Sequence, residues 1–354
     1  MIPAFLRLPV CALDISDRSY KYLLLKSRGN AFVVSDFGDG NLPAGIVENG
    51  EIYQRDTLIT ILRDLFVQKK IQFVSISLPE EKGFLKSIKM PTSVRANEVG
   101  SSLALQIEEH VPLPAAEVAF DYTLGGADDD HFDIVLRAFP RSILDSYLDI
   151  AAKAGALPVF VEPELDAMVR AVVPYSYAGT GMLIDWGATR ASFAVFYRNV
   201  VRFAATAPVG GALVTAAIAK QMNVSAEEAD RLKKTKGRLV VTQESMNNDK
   251  ATQAIMPLIN ALLEETKRYL LYWQSHSENN SLPERIYLAG GDVNIRGLPE
   301  YFSAELGVST IFANPWENIS FPPFYLPELS WKDSLRFIST IGLCLQSAEE
   351  CQFL

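Results

Sequence analysis

Metal-binding and disulfide-forming residues are scarce in this chain. Its 354 residues include three cysteines, Cys11, Cys344 and Cys351, and three histidines. The cysteines have no ligand spacing, and Cys11 sits in an apolar run that reads as a core strand, so a reducing compartment is the simpler expectation. His110 and His131 have no partner at catalytic spacing and are not expected to act in chemistry. Positive charge is also short: 33 Lys and Arg stand against 42 Asp and Glu, a net charge of −9. That balance argues against broad binding to nucleic acid or anionic lipid. No stretch approaches the roughly 20 apolar residues of a membrane span. The opening MIPAFLRLPV, with one Arg and an early Pro, leaves little room for a signal-peptide core. Neither GxGxxG nor a Walker-A lysine motif is found. What is present is a 49% apolar fraction with 21% charged residues, a globular composition. The length suits two lobes or two to three domains.

The chain is organised around Val10–Lys26, VCALDISDRSYKYLLLK, which reads as a strand ending in Asp14, a polar turn and a second strand carrying Lys21. The layout returns at Gly181–Tyr197, GMLIDWGATRASFAVFY, where the strand ends in Asp185. Each copy continues through a tight-turn signal, Gly29-Asn30 and Arg198-Asn199, into a third apolar strand. Two copies predict two related halves. Turns of this kind offer backbone N–H groups to phosphates, and paired carboxylates suit a hydrated magnesium ion. Singly, each is an ordinary hairpin with an Asp at the strand end; the repetition in matching context is what carries weight.

Between the copies, Leu58, Ile61, Leu62, Leu65 and Phe66 recur at helical spacing within Arg55–Lys70, and Gln72–Leu78 is an apolar strand stopped by Pro79. Composition shifts at Glu80–Pro91, and an inserted subdomain is expected over 81–156. It holds a helix over Ala96–His110, paired strands at Val118–Leu124 and Phe132–Phe139, and a helix over Arg141–Ala154 closed by Gly155. Asp128–Asp130 lacks the spread of ligands a calcium loop needs and reads as a solvated turn. Leu157–Val161 is a strand, and Glu162-Pro163 opens a helix running toward the second half, so Glu162 is placed either in a cleft or simply at a helix dipole. In the second half, Gly210 and Gly211 precede an apolar helix whose N–H groups are expected to be free for a ligand. A capped helix over Val224–Lys236 carries Asp230 and Lys233 on one face, a ligand-contacting pair or a surface ion pair. Thr242–Asp249 reads as a polar loop and Ala254–Trp273 as a long helix. Glu284–Ala289 is a strand that runs into Gly290-Gly291, where a flat ligand can approach the backbone. Leu335–Ser347 is the last helix.

Asp14 with Lys21, Glu162-Pro163, Asp185-x-Gly187, Gly210-Gly211 and LAGGDVNIRGLP stand in an order that resembles the actin-like ATPase superfamily. That superfamily includes actin, DnaK-type chaperones, sugar kinases, MreB and FtsA. PVGGALVTAAIAKQMNVSAEEADRLK, IYLAGGDVNIRGLPEYF and the insert opening KMPTSVRANEV resemble the PilM family of type IV pilus assembly proteins over nearly the whole chain. The resemblance implies an α/β, two-lobed, ribonuclease-H-like fold. Its first lobe spans 1–80 and returns over 157–178, the insert fills 81–156, and the second lobe takes 179–354, with a subdomain at about 212–284.

The resemblance also implies ATP or ADP as ligand, with Mg2+. Asp14, Ser16, Asp17, Arg18, Ser19 and Lys21 would form the first phosphate loop, and Asp185, Gly187, Ala188 and Thr189 the second. Both aspartates would hold magnesium through water, and Glu162 would position attacking water. Gly210 and Gly211 would line the site, Asp230 and Lys233 would contact ribose or adenine, and Gly290, Gly291 and Asn294 would line the adenosine pocket. Ser16 replaces the usual Gly of the first loop, Asp17 adds an anion, Trp186 precedes Gly187 where a β-branched residue is common, and Arg190-Ala191 replaces small hydroxyl residues. These departures imply a weak ATPase or none.

The implied role is a cytoplasmic nucleotide-binding scaffold recruited to the inner membrane. Its partner would be the short cytoplasmic tail of a PilN-like membrane protein, held by apolar residues of Ala96–Pro114, with pilus motor ATPase components as further partners. An FtsA-like filament former would want a basic membrane-surface tail, whereas the tail here carries Glu349 and Glu350. A nucleotide-free docking platform is the other alternative. A sugar-kinase reading lacks an acceptor-loop Asp to serve as base.

Overall fold

Val10–Ile15 is buried along its whole length and forms β1, the spine of the first half. The structure, a computed structural model, describes residues 9–29, 31–127, 130–234, 249–277 and 281–350. Cys351, Asp128, Asp129 and all of the Thr242–Asp249 loop except Asp249 therefore lie outside the described residues. The chain divides into two compact units. Unit 1 is Met1–Met168 with Ile319–Leu326 and Ser339–Leu354; unit 2 is Val169–Asn318 with Pro327–Ile338.

In unit 1, β1 pairs antiparallel with β2 (Ser19–Arg28), which pairs with β3 (Ala31–Asn41). After the short β4–β5 ribbon (Val47–Glu48 and Glu51–Ile52) and helix α1 (Arg55–Lys69), β6 (Phe73–Leu78) returns parallel to β1. The sheet order is β10-β6-β1-β2-β3. Helix α1 buries Leu58, Leu62, Leu65 and Phe66 in this sheet's core as its helical spacing predicts, while Ile61 of the expected face is only partly buried and Ile59 is buried in addition.

The insert is a three-stranded antiparallel sheet, β7-β9-β8, with its own apolar core. Strands β8 (Val118–Ala127) and β9 (His131–Pro140) extend the expected pair. β7 (Phe84–Pro91) falls where sequence showed only a charged, proline-ended stretch. It is an edge strand, the position that tolerates both lysines and a terminal proline. Helix α2 (Val99–His110) begins after a 3-10 turn over Ala96–Glu98. Helix α3 (Arg141–Ala154) has its expected bounds but not its expected place: Ile143, Tyr147, Ile150 and Ala154 pack into the core of the first sheet with α1, so the insert's own core ends before it rather than at 156. Glu162 is not at a helix start: it belongs to β10 (Leu157–Pro163), and α4 begins at Glu164 and runs to Val172.

Unit 2 repeats the plan. β11 (Thr180–Trp186), β12 (Ala191–Tyr197) and β13 (Val200–Ala207) form an antiparallel meander. Helices α5 (Gly211–Met222), α6 (Ala226–Lys234) and α7 (Lys250–His276) follow. β14 (Arg285–Ala289) then returns parallel to β11, and β15 (Ser309–Phe312), beyond α8 (Leu298–Leu306), lies parallel to β14. The order β13-β12-β11-β14-β15 is the order of the first sheet, strand for strand, which is the internal repeat the two aspartate motifs announce. The last helix, α9 (Ile338–Glu350), corrects the expected boundary, which placed all of 179–354 in one lobe. From Ser339 onward α9 packs in unit 1, where Cys344 donates to the Leu23 carbonyl at 3.3 Å. A Cβ on Gly342 would stand 1.7 Å from the Ala167 carbonyl oxygen.

Candidate functional site

The two hairpins close alike. In unit 1 the Ser16 N–H donates to the Ser19 carbonyl at 2.9 Å; in unit 2 the Gly187 N–H donates to the Arg190 carbonyl at 3.0 Å. Asp14 pairs in register with Lys21, and Asp185 with Ser192, so each aspartate sits two residues before its turn.

Asp14 is 2% exposed. Its Oδ2 meets Lys21 Nζ at 2.8 Å, and its Oδ1 accepts from Ser77 Oγ at 2.7 Å. Burial disfavours the charged carboxylate, but the Lys21 ammonium and hydrogen bonds from Lys21, Ser77 and Ser339 outweigh it and hold the pKa below its ordinary value. Glu162 pairs in register with Ser77, so Asp14, Ser77 and Glu162 stand on three adjacent strands. Ser77 is a site residue that sequence reasoning missed; a serine in an apolar strand before Pro79 gives little signal.

The departures in the first loop have structural answers. The Ser16 hydroxyl folds back, donating to the Ser19 carbonyl at 3.0 Å and lying 3.2 Å from Ser19 Oγ. Asp17 Oδ1 accepts the Gly50 N–H of the β4–β5 turn at 3.2 Å. Both side chains are thus engaged within the protein, while Arg18 is exposed.

In unit 2 the amides at the start of α5 are not free, contrary to expectation. Gly211 N–H donates to the Gly187 carbonyl at 2.9 Å and Ala212 N–H to the Ala188 carbonyl at 2.8 Å. The helix start is spent on holding the second hairpin. Gly210 permits this approach, since a Cβ there would lie 2.3 Å from the Thr189 carbonyl carbon. Gly290 has φ +98°, and a Cβ on it would lie 2.5 Å from Asp185 Oδ1. That left-handed backbone favours glycine, and the packing requires it.

Asp230 and Lys233 meet at 3.5 Å on α6. The stronger partner of Lys233 is Asp292, whose Oδ1 lies 2.7 Å from Nζ; Nζ also donates to the Gly211 carbonyl at 3.3 Å. Asp292 follows Gly290-Gly291 and was not singled out from sequence. Asn294 is exposed beyond it and makes no side-chain hydrogen bond among the described residues.

A further charged cluster lies in unit 1. Arg137 Nη2 and Asp166 Oδ1 meet at 2.6 Å beside Glu80, which is 7% exposed. Glu80 Oε2, Arg137 Nη1 and Asp166 Oδ2 are buried without hydrogen-bond partners. Burial pushes the Glu80 carboxyl up to about 7; Arg137 and the Leu165 amide oppose the rise and Asp166 adds to it.

In the insert, Val99, Leu103, Ile107 and Val111 turn inward to its own core, leaving Leu105, 89% exposed, as the large apolar side chain of α2 in solvent. The insert's apolar stretch therefore serves its own core first.

Asp14 and Asp185, each in its own unit, offer hard carboxylate oxygens, the donor chemistry that suits magnesium. Magnesium typically retains waters and binds through one or two carboxylates and substrate phosphates.

Two sheets of one strand order, each with an aspartate as the penultimate residue of its first strand before a tight hairpin, are the actin-like ATPase fold. The chain belongs to the type IV pilus assembly protein PilM family, whose model matches residues 12–348. The structure of a PilM-PilN type IV pilus biogenesis complex is similar at 21% identity and a TM-score of 0.78, covering 96% of this chain and 99% of that one. The ethanolamine utilization protein EutJ from Carboxydothermus hydrogenoformans matches at 15% identity and a TM-score of 0.59, with coverage of 98% and 90%. MreB5 of Spiroplasma citri bound to ADP matches at 12% and 0.53, with coverage of 94% for both chains. No helix among the described residues is long and apolar enough to cross a membrane.

Proposed function

We propose that this chain is a nucleotide-binding docking component of the type IV pilus machinery, which binds magnesium-ATP through its two aspartate hairpins and turns it over slowly or not at all. The observation that carries the reading is the repeat itself: Asp14 and Asp185 hold the same place in sheets of one order, before turns closed by the same N–H to carbonyl bond. The solved MreB5 bound to ADP supports a nucleotide as ligand of this fold. In the site, Lys21 and Ser77 keep Asp14 ionised, and the α5 amides fix the second turn. Magnesium, when bound, would supply charge neutralisation for the phosphates, and Asp14 and Asp185 would hold it through water. Asp230, Lys233, Gly290 and Gly291 take the nucleoside end.

The partner is the cytoplasmic tail of a PilN-like inner-membrane protein, docked on the insert, and the chain is cytoplasmic and reaches the membrane through it. The solved PilM-PilN complex supports a PilN-like partner, and exposed Leu105 on α2 supports docking on the insert. The test is titration of nucleotide-stripped protein with magnesium-ATP and with a labelled synthetic tail peptide of the PilN-like protein from the same organism. Saturable binding of both is expected, with peptide affinity weakened about tenfold by Leu105→Asp. No peptide binding at about 100 µM, a binding free energy weaker than about 5.5 kcal/mol, contradicts the docking role.

A further inference from the structure

In unit 1, the segment Ile319–Leu326 crosses the outer side of β3, the edge strand of the first sheet. The Phe32 N–H donates to the Ser320 carbonyl at 2.8 Å. At Val34 the Tyr325 hydroxyl takes the place of a neighbouring strand: it accepts the Val34 N–H at 3.0 Å and donates to the Val34 carbonyl at 3.2 Å. The Tyr325 N–H donates to the Pro322 carbonyl at 3.1 Å, and the Phe321 and Tyr325 ring centroids lie 5.4 Å apart. Covering an edge in this way protects it from pairing with another chain.

The turn that anchors Tyr325 also sends Phe324 outward. Phe324 has φ +64°, in the left-handed region, where a bulky side chain is an outlier. It is 106% exposed, and Leu326, on the other side of the anchor, is 86% exposed. The two form a protruding apolar pair, and one of them is held in water against its backbone preference. Strain of this kind persists where the surrounding structure enforces it, and it gathers at sites of function.

The pair is a knob, not a groove. Two such side chains bury on the order of a few hundred Å². Knob against knob in a second copy therefore falls short of the roughly 1,200 Å² of a stable protein interface. Residues 318–327 carry no charge, and Pro322 and Pro323 have no N–H to desolvate. With the Tyr325 N–H and hydroxyl already bonded, the segment has few polar groups to lose to an apolar medium, which suits the boundary of a bilayer. Glu317 and Glu328 flank it and the whole chain has a net charge of −9, so anionic headgroups repel it and zwitterionic ones do not.

We infer that Phe324 and Leu326 form a lipid-contact knob, which inserts among the headgroups of a zwitterionic membrane surface and reinforces a tether supplied by a membrane partner. One small apolar insertion is reversible by itself, and stable attachment takes a second signal. The inference rests on the membrane recruitment proposed above for that second signal alone; it is independent of the nucleotide hairpins and of docking on the insert.

The test supplies the second signal artificially. The full chain with a C-terminal hexahistidine tag is bound to phosphatidylcholine vesicles containing a nickel-chelating lipid, and apparent affinities are read by flotation for the wild type, Phe324→Asn and Leu326→Asp. Both positions are exposed, and Asn tolerates the left-handed backbone, so both variants keep the fold. The expected result is vesicle affinity about tenfold weaker in each variant, through loss of the second contact. The melting temperature of Phe324→Asn is expected at or above that of the wild type; a lower one contradicts the strained presentation of Phe324. In Phe324→Trp the introduced indole is expected to be quenched by phosphatidylcholine with brominated acyl chains, beyond the quenching of the native tryptophans. Affinities of both variants within about threefold of the wild type, or no added quenching, overturn the lipid assignment and point to a concave protein surface as the acceptor of the knob. Because neither nucleotide nor tail peptide is present, failure of this test leaves the proposed function standing, and failure of that function leaves the lipid contact standing.

Discussion

Asp14 and Lys21 face one another across β1 and β2, and their charges meet at 2.8 Å in a place where Asp14 is almost wholly out of water. The pair is a device for keeping a carboxylate ionised in the protein interior. Removing one member strands the other, which costs about 3 to 5 kcal/mol in buried pairs. Lys21→Met is therefore expected to destabilise unit 1 by about 3 kcal/mol, somewhat below the fully buried case because Lys21 keeps some exposure. Urea unfolding of the variant at neutral pH checks this. Because the folded pKa of Asp14 is depressed, its contribution is present above the ordinary value of 3.8 and is lost as pH falls below it. In the variant that acid-side loss is smaller.

Glu80 behaves in the opposite sense. Its folded pKa is raised from 4.5 to about 7, so it is best accommodated below 4.5 and its stability contribution is lost as pH rises toward 7. The span corresponds to on the order of 3 kcal/mol. Glu80→Gln, which is neutral at every pH, is expected to stabilise the protein relative to wild type at pH 8 and to make little difference at pH 4.5. Chemical denaturation at the two pH values measures the difference; an equal effect at both removes the proton-linked account of the Glu80–Arg137–Asp166 cluster.

Gly211 and Asp292 compete for one volume. Gly211→Ala places a Cβ within 1.9 to 2.3 Å of the Asp292 carboxylate and is expected to cost about 1 to 3 kcal/mol, the range of core overpacking. Combining it with Asp292→Ala relieves the clash, so the double variant is expected to be less destabilised than the two single losses add up to. A double-mutant cycle by thermal or urea unfolding reads the coupling directly. Additive effects contradict the packing described.

Much of the architecture is legible in sequence because it is written twice. The strand–Asp–turn–strand–turn–strand motif predicts both meanders, and the helical spacing of Leu58, Leu62, Leu65 and Phe66 predicts the buried face of α1. The elements that were not legible are short or on edges. β15 has four residues, too few for alternation to register, and β7 mixes lysines with a terminal proline as an edge strand can. The polar side-chain pairs of each unit divide the same way. Asp14, Lys21 and the Asp230–Lys233 pair are legible through spacing along one strand or helix. Ser77 and Asp292 join them through tertiary contacts across distant segments, which no local pattern encodes. The free amides expected at Gly210-Gly211 illustrate the converse: the glycines are real signals of close approach, but the backbone that approaches is the protein's own second hairpin.

The proposed function requires both Asp14 and Asp185 for binding of a magnesium-nucleotide. Its most direct test is the melting temperature of nucleotide-stripped protein with and without millimolar magnesium-ATP, in the wild type, Asp14→Asn and Asp185→Asn. Ligand present at about 100 times its Kd adds roughly 2.7 kcal/mol to the native state, which raises the melting temperature by about 3 °C or more. The account predicts that rise in the wild type and its loss in both variants. A wild-type protein whose melting temperature does not move, or a rise that both variants retain, contradicts it.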